Sequence, residues 1–137
     1  MKIHWKRVVI AAIWSELLLF SIHFLAVKYV APAIGIAIGG TIILLNWFGM
    51  QFWGGIWITR KIDSRFILHG VLVGIVVSIL FFPLMPIVYA QQAITLQICM
   101  TVLFSDAVKI LGSTAGGYVG GRRRKKLLSI QNSKVSS

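Results

Sequence analysis

Glu16 lies in the stretch WSELLLFSI, residues 14–22, among some of the most apolar sequence in the chain. A carboxyl in such surroundings can bind and release a proton or cation, or it can tie helices together through an ion pair. Asn46, Asp106 and Lys109 fall in similar runs. Asp106 and Lys109 are three residues apart on one helix, so they can pair locally. Lys109 is also the cation that can reach Glu16. Two carboxylates against one ammonium leave a net formal charge of −1, which an apolar medium opposes. A proton on one carboxyl would remove that charge, and Asn46 can hydrogen-bond either form. His23 shares a helix face with Glu16. It either extends a proton path or packs as a hydrogen-bonded histidine. Glu16, Asn46, Asp106, Lys109 and His23 therefore form the candidate polar or ion site.

Other chemistry has little support. Ser15, Ser21, Ser78, Ser105 and Ser113 lie in apolar runs, and none sits in a nucleophile motif such as G-x-S-x-G. No phosphate-binding glycine loop is present. His4, His23 and His69 show no metal-ligand spacing with one another. Cys99 is alone, so an intrachain disulfide is impossible. The expectation is a protein that is not an enzyme and has no catalytic residues, metal or cofactor.

The elements that must carry this cluster follow from composition. Of 137 residues, 58% are hydrophobic and 12% charged, about half the charged share of a soluble domain. One water-soluble core of this size cannot hide so much apolar surface. Four segments are long enough to cross a bilayer as helices: about 8–28, 33–58, 66–89 and 94–121. Pro32 suits the first turn of the second, and Pro83 and Pro86 fall near the end of the third. The connections are short, which makes sequential helices antiparallel neighbours. The predicted fold is all-α: an integral membrane protein of four antiparallel transmembrane helices in a compact bundle over residues 1–121.

The formal charge is +11. Its placement argues for a membrane and against nucleic acid. Lys2, Lys6 and Arg7, then Arg60, Lys61 and Arg65, then Arg122, Arg123, Arg124, Lys125, Lys126 and Lys134 all fall on one side of a four-span chain. Lys28 stands alone on the other. The positive-inside rule then puts both termini in the cytoplasm, in a plasma or bacterial inner membrane. Trp5, Trp57 and Tyr118 near one interface, with Tyr29 and Tyr89 near the other, match aromatic belts. Trp14, Trp47 and Trp53 lie deeper and read as packing residues. The tail 122–137 reads as a disordered topogenic anchor, or as a site for anionic headgroups at Arg122–Lys126. Asp63 can pair with the basic residues around it.

Helical spacing assigns faces. Ala12, Glu16, Leu19 and His23 align in the first span. Gly35, Gly39, Ile42, Asn46, Gly49 and Trp53 align in the second, and Gly70, Gly74 and Ser78 in the third. Cys99, Val102, Asp106, Lys109, Ser113, Gly116 and Gly120 align in the fourth. Gly112, Gly116 and Gly120 repeat G-x-x-x-G, for close packing inside the bundle or for assembly with a second copy or another membrane protein.

In layout, with four short helices and a membrane-embedded Glu in the first, the chain resembles the small multidrug-resistance transporters. In that family the Glu binds protons and cationic substrates within a dimer, so the resemblance implies that role for Glu16. It carries over no other residue. The flanking IAAIWSELLLF departs from the family's pattern, as do Asp106 and Lys109, and Lys109 would compete with a cationic substrate. Two functions follow: a structural or accessory-subunit protein with a buried polar cluster, or a small oligomeric proton- or ion-coupled transporter.

Overall fold

The computed structural model describes residues 3–25, 28–29, 36–60, 62, 64–81 and 96–135, with the backbone alone at 36–40, 97 and 131–135. Pro32, Asp63, Pro83, Pro86 and the connection at 90–93 lie outside this set. The described residues form four helices and no strand: α1 Trp5–Leu25, α2 Ile36–Thr59, α3 Phe66–Phe81 and α4 Leu96–Val135. Two helical stretches are long and apolar enough to cross a membrane, Trp5–Leu25 and Ile98–Ile130. Phe66–Phe81 is a shorter apolar helix.

Pairings between helices set their directions. Ser15 and Glu16 meet Gln51, while Leu19 meets Asn46, so α1 and α2 run antiparallel. Gly117 lies against Phe66 and Gly70, and Gly74 against Ile110, so α3 and α4 also run antiparallel. Gly112 and Gly116 lie against Phe48 and Phe52 in the same order, so α2 and α4 run parallel. The most extensive packing is between α2 and α4, which are not sequence neighbours. α1 packs on α2 and α3 from the other side, and Val8, Ala11, Ala12, Ile58, Val73 and Val77 form the apolar core there.

Glycine makes the α2–α4 contact possible. The space a Cβ would take at Gly116 is filled by the Phe52 carbonyl, and at Gly55 by the Ser113 carbonyl. Backbones this close gain dispersion and weak Cα–H···O contacts. Gly112 meets the Phe48 carbonyl in the same way, and Gly120 meets the Thr59 side chain.

Several features differ from the reading of the sequence. α4 continues as helix through the basic segment to Val135. Beyond Gly121 that segment holds Arg, Lys, Leu, Ile and Gln but neither Gly nor Pro, so little interrupts the helix. At about 60 Å, α4 is twice as long as a bilayer core is thick. Trp14 and Trp53 are not packing residues: they are 59% and 52% exposed. Cys99 is exposed as well. The inward face of α2 is set by Gln51, with Gly54, Gly55, Ile58 and Thr59 following it. A buried amide needs partners, whereas a tryptophan ring is tolerated on an apolar exterior.

Candidate functional site

The inward face of α1 carries Ser15 and Glu16 side by side, both buried. Lys109 of α4 reaches across and donates from Nζ to Glu16 Oε1 at 2.9 Å. This is the one ion pair among the described residues. Gln51 of α2 donates from Nε2 to Glu16 Oε2 at 3.0 Å. Gln51 Oε1 accepts from Ser15 Oγ, also at 3.0 Å. The Ser15 hydroxyl is equally placed for the Ala12 carbonyl, so one proton is shared between two acceptors.

The fourth helix joins through a ring. Lys109 Nζ stands 4.3 Å from the centroid of Phe81 on α3, within cation–π range. Three helices thus meet at the Lys109 ammonium, and α2 joins them through Gln51 on Glu16. Lys109 is 2% exposed and Gln51 fully buried. Both Glu16 oxygens have donors, and both ends of the Gln51 amide have partners. A buried charge pair is tolerable only when satisfied in this way.

The other candidates lie around this network. Asn46 is buried on α2 and donates to the Leu19 carbonyl at 3.4 Å, while its Oδ1 has no partner. Asp106 is partly buried with an unpartnered Oδ1. Lys109 pairs with Glu16 rather than with Asp106, its neighbour on α4. His23 is half-buried, stacks on Trp47 at 6.5 Å, and leaves Nδ1 unpartnered. A cavity of about 140 Å³ runs from His23 and Trp47 past Phe20, Thr101 and Ser105 to Lys109.

Gly112, Gly116 and Gly120 face α2, and the neighbouring Gly117 and Gly121 face Phe66 of α3. Arg122, Arg123, Lys125 and Lys126 are exposed, and Arg124 is half-buried.

Sequence reasoning passed over Gln51, which hydrogen-bonds both Glu16 and Ser15. Its signal was its type, a lone primary amide in an otherwise apolar half-span. His69, near the start of α3, is 2% exposed. Its Nδ1 lies 3.0 Å from the Arg65 carbonyl, and its Nε2 accepts from the His4 backbone N–H. That pattern puts the ring proton on Nδ1.

Compared with protein-family models, curated proteins and solved structures, the chain matches none.

Proposed function

We propose that this chain is a small polytopic membrane protein of structural or accessory-subunit type. It is a four-span bundle with both termini cytoplasmic, whose polar network fixes how the helices meet. The observation that carries this reading is the Lys109–Glu16–Gln51–Ser15 chain, in which both carboxylate oxygens and both ends of the amide are engaged. Such a network suits the specification of helix register and partner.

The membrane setting rests on an inverted distribution of polarity. Leu45, Phe24, Leu103 and Leu111 are more than 60% exposed, while Glu16, Gln51 and Lys109 are buried. Lipid accepts the first group outside and rejects the second. Lys6, Arg7, Arg60, Arg65 and the basic end of α4 fall at one end of the alternating helices. Reporter fusions at the C-terminus and at residues 91–92 are expected to sit on opposite sides of the membrane; same-side signals would sink the four-span reading.

A second reading, proton- or ion-coupled transport through Glu16, is favoured by the cavity that reaches Lys109. Its test is pH-driven flux in proteoliposomes that Glu16→Gln abolishes. The structural reading expects no such flux and a folded Glu16→Gln/Lys109→Met double variant.

A further inference from the structure

The basic segment of α4 is not a uniform charged surface. Tyr118, Gly121, Arg122 and Lys125 follow one another at three, one and three residues and so form one helical stripe. That stripe faces the start of α3. There Arg65, Phe66 and Ile67 complete a cleft of about 230 Å³. Three cations from two separate elements surround it. The close approach of Gly121 to the Phe66 ring brings the elements together, since a Cβ at Gly121 would lie 2.5 Å from that ring.

The cleft is built on one side and greasy on the other. Arg122 stacks over the Tyr118 ring with its guanidinium carbon 5.3 Å from the centroid. The Arg65 backbone is held at φ 55°, a left-handed conformation uncommon outside glycine. Its carbonyl accepts from both the backbone N–H and the ring Nδ1–H of His69, so Arg65 projects from a fixed point. Below the cations, Ile67 and Tyr118 are about half exposed, and Leu111 and Phe104 continue the Tyr118 stripe at seven-residue steps, each more than half exposed. A second cleft on the neighbouring stripe is lined by Arg60, Arg123 and Arg124 together with Ile56 and Leu127.

We propose that the α3–α4 cleft is a binding site for an anionic phospholipid, its phosphate held by Arg65, Arg122 and Lys125 and one acyl chain laid along Tyr118, Leu111 and Phe104. Charge complementarity selects the headgroup, and the continuous apolar track selects a lipid over a free anion. The proposal rests on the membrane reading above and names the partner of its basic end.

The test uses the full chain, purified in neutral detergent and titrated with phosphatidylglycerol, phosphatidylcholine or inorganic phosphate, with bound lipid counted by native mass spectrometry. Phosphatidylglycerol is expected to bind in preference to phosphatidylcholine, and millimolar inorganic phosphate to leave it bound. Arg122→Gln/Lys125→Gln is expected to weaken phosphatidylglycerol binding about fivefold per cation. Lys6→Gln/Lys126→Gln removes the same charge from outside the cleft and is expected to change it little. Equal losses in the two double variants would mean diffuse attraction and overturn the cleft. Displacement by inorganic phosphate at the same occupancy would overturn the lipid assignment. Membrane fractionation of the cells that produce the chain, before detergent is added, separates the two levels: a chain found in the membrane that has no headgroup preference refutes this site alone, and a chain absent from the membrane refutes the setting itself.

Discussion

Lys109 and Glu16 join α4 to α1, the two helices of the bundle that pack least against each other. Glycine-mediated backbone contact holds α4 to α2 and α3, and an apolar core holds α1 to the same pair. The ion pair is therefore a direct polar tie between α1 and α4, which otherwise meet mainly through α2 and α3.

Breaking that link from one side leaves a buried charge without its partner. Lys109→Met is expected to lower stability by about 3–5 kcal/mol, and Glu16→Gln by a similar amount. The double variant removes both charges and keeps an amide beside Gln51, so it is expected to cost less than Lys109→Met alone. Unfolding in detergent, followed by tryptophan fluorescence, measures the cycle. Costs that simply add would show that the two side chains do not depend on each other.

Gln51 and Asn46 offer a comparison on one helix. Gln51→Leu strips the donor from Glu16 Oε2 and the acceptor from Ser15, and is expected to cost about 1–3 kcal/mol. Asn46 makes one long bond, at 3.4 Å, so Asn46→Leu is expected to cost clearly less. The reverse order in thermal unfolding midpoints would show that Asn46, not Gln51, is the stronger polar anchor of α2.

That comparison also marks what the sequence can say. The helical class is legible in composition, because runs of this length and apolarity have few other solutions. The pairing of Glu16 with Lys109 was an open option, since a buried acid and a buried base seek each other. The face of α2 was legible at Asn46, which is buried against α1, but not from Gly49 and Trp53. A small residue marks an inward face only if a neighbouring backbone comes close: at Gly49 nothing lies within 4 Å of an added Cβ, whereas Gly54 and Gly55 are both crowded. Spacing within one helix cannot report which other helix will approach. The parallel α2–α4 contact, between elements far apart in the chain, is written in such three-dimensional terms.

Glycine substitutions should separate those two environments. Gly116→Ala forces a methyl into the Phe52 carbonyl, and Gly55→Ala one into that of Ser113. Each is expected to cost more than 1 kcal/mol, as overpacking does. Gly49→Ala meets open space and should stabilise the helix by up to about 1 kcal/mol. Circular dichroism melts of the three variants would check this. A neutral Gly116→Ala would mean that the close approach of α2 and α4 is not maintained in solution.

The cavity beside Lys109 distinguishes a locked cluster from a transport path. Ser105 lines it and is 5% exposed, whereas Leu103 on the same helix is 64% exposed on the apolar exterior. In a Cys99→Ser background, Ser105→Cys, Leu103→Cys and Arg123→Cys probe the cavity, the exposed apolar surface and the basic end of α4. A charged, membrane-impermeant maleimide applied to right-side-out and inside-out vesicles is expected to label Arg123→Cys from one side only. It should label neither Ser105→Cys nor Leu103→Cys, because a polar reagent does not cross apolar surroundings and the cavity is bounded by Phe20, Trp47 and Phe81. Labelling of Ser105→Cys from either side would show that water reaches Lys109. If Glu16→Gln then changed that labelling, the ion pair would be a gate, and the transport reading would displace the structural one.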